Sequence, residues 1–261
     1  MRIALGIEYD GSAFSGWQIQ EGDVKTVQGD LEQALSKVAD QPVEKTQVAG
    51  RTDAGVHATE QVIHIETTAI RSERSWILGT NRHLHTSPIS VLWAKPVGDD
   101  FHARFSALRR RYRYVILSRL VRPTFLHGQV AWERKPLNLE RMQQAAKYFV
   151  GEHDFNAYRT VHCQAHSPVK NVYFLNISQR GEFYYIDIEA NSFLHHMVRN
   201  IAGVLMTIGS GEAETGWAKT VLETRDRTQG GVTAPAYGLY LTKVTYDERF
   251  ALPQINSLSI V

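Results

Sequence analysis

One stretch concentrates more potential chemistry than any other: Val48-Ala49-Gly50-Arg51-Thr52-Asp53-Ala54-Gly55-Val56-His57-Ala58. A carboxylate, a guanidinium and an imidazole sit here among glycines, alanines and valines. Gly50 and Gly55 permit φ > 0 and close backbone approach, so the segment reads as a loop that holds Asp53 toward something large. Strands are expected at 43–48 and 61–67, leaving a connection of about twelve residues where a hairpin needs about two to five. A connection of that length more often carries function than mere chain reversal. From these residues alone, Asp53 can be a nucleophile, a base, a metal ligand or the cap of a helical turn with Arg51 as its surface partner.

Other clusters compete for attention. Arg104, Arg109, Arg110, Arg111, Arg113, Arg119 and Arg122 form a basic stripe with no acid among residues 104–122. Such charges repel one another unless an anionic partner lies near. The run His162-Cys163-Gln164-Ala165-His166 lacks a second ligand pair at zinc-finger spacing. His195-His196 reads as part of a helix, where adjacent side chains point about 100° apart and do not readily share one ion. No serine occupies a Gly-x-Ser-x-Gly elbow, and no phosphate-binding loop or dinucleotide fingerprint is present. What remains is Asp53, a tyrosine (Tyr112) in an arginine-rich strand, and Arg199, one turn from His195 on an apolar helix. A guanidinium beside a buried stripe either snorkels to solvent or finds a partner. If Arg199 meets Asp53 across the junction of the two halves, the carboxylate stays ionised and aimed.

Size and composition set the class. The chain of 261 residues is 43% hydrophobic and 21% charged, ordinary for a soluble globular protein. Its net charge of +2 is too small for nucleic-acid binding by overall charge, so distribution decides. The lone Cys163 cannot form an internal disulfide. Met1-Arg2-Ile3 opens no apolar leader, and no apolar run is long enough to span a bilayer. A reducing, cytoplasmic location without membrane insertion is the expectation.

The elements that must position these residues follow from periodicity. Ile3, Leu5, Ile7 and Tyr9 alternate as in a strand with one buried face. The segment 11–23 is too aromatic for a linker and too broken for a helix, so it is either ligand-facing or covered. Thr26 caps a helix that ends before Pro42. After the strands flanking Asp53, a helix is expected at 72–81 and a strand at 88–95. The order β-α-β-β-α-β is that of a split βαβ unit. A second series begins with a strand at 111–117, with Tyr112, Tyr114 and Ile116 on one face. It continues with a helix at 139–150 capped by Asn138 and ended by Gly151, strands at 169–178 and 182–190, and helices at 193–208 and 217–224. A strand at 239–246 closes it. The expected fold is therefore α+β: two tandem split-βαβ units with mostly antiparallel sheets. The first domain spans 1–105 with the Asp53 loop, the second 106–261 with the Tyr112 strand and the Arg199 helix, and a catalytic cleft is expected between them. The exposed face of such a sheet is a common RNA platform, but fold alone licenses no function.

At this point the residues carry a resemblance. Ala49-Gly50-Arg51-Thr52-Asp53-Ala54-Gly55-Val56-His57-Ala58 resembles the active-site motif of the tRNA pseudouridine synthase A family. Phe101-His102-Ala103-Arg104-Phe105-Ser106, Arg110-Arg111-Tyr112-Arg113-Tyr114 and Asn191-Ser192-Phe193-Leu194-His195-His196-Met197-Val198-Arg199-Asn200-Ile201 resemble its later blocks. Ile7-Glu8-Tyr9-Asp10-Gly11 and Gly238-Leu239-Tyr240-Leu241 are similar too, so the likeness covers nearly the whole chain. It implies a homodimer that isomerises uridines 38, 39 and 40 of the tRNA anticodon stem-loop, without metal or cofactor. It also implies roles: Asp53 as nucleophile, Tyr112 stacking on the target base, Arg199 as partner of Asp53, and Arg51 as a helper of base flipping. His57, Arg110 and Arg111 are further expected substrate contacts. A non-catalytic RNA binder using the same sheets would have no use for Asp53, because an acid facing phosphates weakens binding.

Overall fold

The computed structural model describes residues 1–160 and 167–255. The His162-Cys163-His166 segment lies outside the described residues. The chain divides into two compact units: Met1–Leu108 with Tyr240–Val261, and Arg109–Leu239.

In the first unit, β1 (Arg2–Tyr9) lies between antiparallel neighbours β3 (His57–Glu66) and β4 (Ile89–Val97). The alternation predicts one buried face, yet residues 3–7 are buried throughout. The reason is local. Gly6 has no side chain, and the Trp93 indole of β4 lies across it, where a β-carbon would collide with the ring. Helix α1 (Val27–Ala39) starts at Thr26, whose hydroxyl accepts from Gly29 N at 3.2 Å, and buries Leu31, Ala34 and Leu35. The expected strand at 43–48 shrinks to β2 (Gln47–Val48), paired with β3. Residues 43–46 give their donors to the helix instead: Val43 N to Ser36 Oγ at 2.9 Å, and Thr46 N to Glu32 Oε1 at 2.7 Å. Helix α2 (Glu73–His83) is capped by Ser72 and buries Trp76 and Thr80. The order β4-β1-β3, with β2 on the free edge of β3, is that of a split βαβ unit. The C-terminal strand, Leu239–Thr245, runs parallel to β3 through Tyr240↔His57 and Leu241↔Ala58. This pairing explains why β3 starts at His57 rather than at residue 61.

In the second unit, strands β5 (Arg109–Ser118), β9 (Phe183–Ala190), β8 (Val169–Arg180) and β7 (Gly151–Asp154) form an antiparallel sheet in that order. β6 (Ala131–Glu133) pairs with β5 in parallel. Both β6 and β7 are too short for periodicity to reveal. The β8–β9 turn is Gly181-Glu182, with Gly181 at φ +58°. Helix α3 (Leu139–Ala146) is capped by Asn138 and ends in a tighter turn at Lys147–Phe149, earlier than expected. Helix α4 (Met197–Gly209) starts four residues later than expected because His196 adopts a left-handed conformation, φ +64°, which a continuing helix does not accommodate. α5 spans Trp217–Thr224. Helix α3 packs on β8 and α4, and α4 packs on β5. Among the described residues, no helix is long and apolar enough to cross a membrane.

Candidate active site

The Asp53 loop comprises residues 49–56, shorter than the pattern implies because β3 starts early. It leaves the sheet where Ala49 N donates to Val62 O at 2.8 Å. Among the described residues no helix starts at Asp53. Instead Val56 N donates to Asp53 O at 3.1 Å, and Gly55 takes φ +78° at the third position. This is a tight turn that demands glycine there. Asp53 is half-buried at its start and Arg51 is exposed.

Neutral groups fix this turn from below. Thr52 Oγ1 lies 2.8 Å from the Tyr9 hydroxyl, both buried. Gln61 Nε2 donates to Gly50 O at 2.8 Å and approaches Tyr9 at 3.4 Å. Burial is the main reason the Tyr9 phenol is pushed up to about 12, with its hydrogen bonds to Thr52 and Gln61 opposing. It therefore stays neutral as a positioning group. The 11–23 segment braces the turn from the side. Trp17 N donates to Thr52 O at 3.0 Å, and Phe14 and Trp17 are buried. Gly16, at φ +100°, lies so close that a β-carbon would come within 3.0 Å of Thr52 O and 3.2 Å of Ala54 N.

His57 lies inside the unit, 2% exposed, with its ring stacked 4.5 Å from Tyr240. Its Nδ1 is 3.0 Å from both Gly11 N and Asp10 Oδ1. The amide needs an unprotonated Nδ1 and the carboxylate a protonated one, so the two contacts compete. The His57 hydrogen bond is the main reason the Asp10 carboxyl is held well below its usual range, with burial opposing. These contacts anchor the loop's C-terminal end.

In the second unit, strand alternation separates the arginines of β5. Arg109, Arg111 and Arg113 share one face, and Arg110, Tyr112 and Tyr114 the other. The basic stripe is not bare, because β9 supplies acids directly across the ladder. Arg111 and Arg109 reach Glu189 at 2.8 and 3.4 Å, and Arg113 pairs with Asp187 through two bonds of 2.8 and 3.0 Å. Arg109, Arg111 and Arg113 also lie over Tyr173, Phe174 and Tyr185. Arg110 Nη1 donates to Asn191 O at 3.1 Å. Tyr112 is buried, its ring edge-to-face with Phe193 at 5.1 Å.

Arg199 occupies the first turn of α4, where its Nε donates to Ala234 O at 2.8 Å. His195 and His196 precede the helix. Their rings lie 4.2 Å apart, and His195 Nδ1 meets Thr160 Oγ1 at 2.8 Å. The helical-geometry argument that set this pair aside as metal ligands therefore does not apply. Sequence reasoning missed Tyr9, Thr52 and Gln61 as the supports of the loop. Tyr9 and Thr52 stand in the quoted blocks, but nothing in the sequence pairs them with each other or with Gln61.

A family model described as tRNA pseudouridine synthase matches residues 6–106 and 145–247. These spans hold Arg51, Asp53, His57 and Arg199, while Arg110, Arg111 and Tyr112 fall between them. A protein named tRNA pseudouridine synthase A from Nitrosococcus oceani is 54% identical over 98% of this chain and 98% of its own. One of the same name from Coxiella burnetii is 53% identical over 97% of this chain and 96% of its own. A chain of the solved Cbf5-Nop10-Gar1 complex aligns at 11% identity over 92% of this chain and 48% of its own, with a TM-score of 0.39, too low to inform the fold. The family model and the two close relatives, each matched across nearly its whole length, establish that the chain is an isomerase of the tRNA pseudouridine synthase A family.

Proposed function

We propose that the enzyme converts uridines 38, 39 and 40 of the tRNA anticodon stem-loop to pseudouridine, with Asp53 as nucleophile. The observation that carries this reading is the Asp53 turn, half-buried and supported on uncharged groups that leave the carboxylate as the reactive charge of the loop. The isomerisation breaks the bond from C1′ to uracil N1, turns the base and joins C1′ to C5. The C5 proton departs and N1 regains one, so no atom is gained or lost. The carboxylate supplies the covalent step, at C1′ or C6, and releases the product in the reverse sense.

Arg199 is assigned as the ionic partner of Asp53, holding it ionised and oriented. Tyr112 is assigned to the target base, which leaves the stack at a cost of a few kcal/mol and regains about 1–3 kcal/mol on an aromatic face. Arg51, exposed beside Asp53, fits a role in base flipping. Arg110, which shares a face with Tyr112, and Arg111, on the opposite face, are further assigned RNA contacts. His57 supports the loop from within rather than touching the base. The working enzyme is assigned as a cytoplasmic homodimer that needs no metal or cofactor. The test is incubation of purified protein with an unmodified tRNA transcript, with and without chelator, followed by pseudouridine mapping. Product at 38–40 in both arms supports the reading, and product elsewhere or none refutes it.

A further inference from the structure

Arg199 is held by a segment that the reaction does not otherwise call on. Residues 226–235 pass along α4 and touch it at three successive points. Ala234 O accepts from Arg199 Nε at 2.8 Å, and Ala234 N returns a bond to Arg199 O at 3.2 Å. One residue further along the helix, Asn200 is 2% exposed and its Oδ1 accepts from Thr233 Oγ1 at 2.7 Å and from Arg227 Nη2 at 3.2 Å. Arg227 Nη2 also reaches Thr233 Oγ1 at 3.0 Å, closing a triangle. The amide of Asn200 donates to Tyr158 O at 2.8 Å, which fixes its orientation. A turn later comes Gly203, whose missing β-carbon would overlap Val232 O. The backbone of 232–234 thus lies directly on the backbone of α4. From the far side, the buried Tyr114 hydroxyl donates to Pro235 O at 2.8 Å.

We infer that 232–234 is a strap that aims the Arg199 guanidinium, with Asn200, Gly203 and Thr233 as positioning residues. A long flexible arginine has many rotamers, and a carbonyl bonded to Nε removes most of them while leaving the terminal nitrogens for another partner. The carbonyl can do so only if its own backbone is fixed, and the Asn200 triangle and the glycine contact fix it. The inference rests on the assignment of Arg199 to Asp53.

The same helix offers a control. Gly209 is also crowded, but by the Met142 thioether at 2.8 Å, a flexible side chain remote from the strap. Both Gly203→Ala and Gly209→Ala should lower thermal stability. Only Gly203→Ala should lower the single-turnover rate on tRNA, by tenfold or more, with tRNA affinity within twofold of wild type. Should Gly203→Ala fail to fold, the hydroxyl pair decides. Thr233→Val, which keeps shape but loses both bonds, should show the same rate loss, and Thr233→Ser should restore the rate. Wild-type rates in folded Gly203→Ala or Thr233→Val overturn the strap, as do equal rate losses in Gly209→Ala or in Thr233→Ser. Arg199→Ala, measured alongside, separates the two readings. A wild-type rate there refutes the role of Arg199 itself, whereas a large loss with unaffected strap variants refutes only the strap.

Discussion

The Asp53 loop and the β5 arginine ladder hold their functional side chains by opposite means. Below Asp53 the supports are a phenol, a hydroxyl and a carboxamide with Gly16 packed close, all uncharged and buried, and the one charged contact, Asp10 with His57, lies at the loop's far end. Around Arg109, Arg111 and Arg113 the supports are carboxylates and aromatic faces, with Glu189 buried but the arginine side chains themselves partly exposed. Buried neutral hydrogen bonds are expensive to break, because the abandoned partner loses both water and protein. Exposed ion pairs are worth less and yield to salt. The contrast suits the proposed roles: a nucleophile at Asp53 would need one fixed direction, whereas an RNA-facing strand would gain from arginines that can exchange partners.

The largest effect is expected at the loop. Thr52→Val keeps the shape but leaves the Tyr9 hydroxyl with only the 3.4 Å contact from Gln61. It should cost about 1–3 kcal/mol in urea unfolding, independent of salt. The single-turnover rate should fall with it, since the turn carrying Asp53 loses its anchor. A neutral outcome in both measurements would show that the turn is fixed otherwise. At the ladder, Arg109→Gln removes a half-exposed cation 3.4 Å from Glu189, which keeps Arg111 at 2.8 Å. The loss should be about 0.5–1 kcal/mol at low ionic strength and should fade as salt rises. A loss as large as that of Thr52→Val, or one indifferent to salt, would erase the distinction between the regions.

A smaller, pH-dependent effect is expected elsewhere in the first unit. His64 is buried, and its Nδ1 accepts from Ala103 N at 3.0 Å. Burial first, then the charges of His102 and Arg2, lower its pKa to about 4 from 6.5. The unfolded chain binds this proton near pH 6.5 and the folded chain only near pH 4. The stabilising contribution is thus complete above pH 6.5 and is lost as pH falls toward 4. His64→Asn, which offers an acceptor but does not titrate, should flatten the stability profile over that window. An unchanged profile would assign the acid sensitivity to other groups.

The sequence was most informative where one local rule decided the outcome. Thr26 and Asn138 stand as the expected N-caps because a side-chain oxygen three residues before an amide needs no tertiary partner. The Asp53 loop was legible from its glycines and its acid. The supports of that loop were not, since Tyr9 and Thr52 are 43 residues apart and Tyr9 and Gln61 52 apart. The acids that meet the arginine stripe were hidden for the same reason. Glu189 and Asp187 lie more than 70 residues beyond their partners and face them only through strand pairing. The start of α4 was missed because a left-handed conformation at His196 carries no signal in a histidine. Residues 43–46 read as strand, but the amides of Val43 and Thr46 bond to Ser36 and Glu32 of a helix.

The central claim is that Asp53 acts as a nucleophile, and the most direct measurement is pseudouridine yield by Asp53→Asn at saturating enzyme on an unmodified transcript, alongside filter binding at fixed salt. Asn is nearly isosteric and leaves the backbone turn to Val56 intact, but it cannot attack carbon as an anion. Asp53→Asn should fold as wild type, bind tRNA with close to wild-type affinity and form no detectable product. Substantial turnover by Asp53→Asn would contradict the central claim and assign the covalent step to another residue.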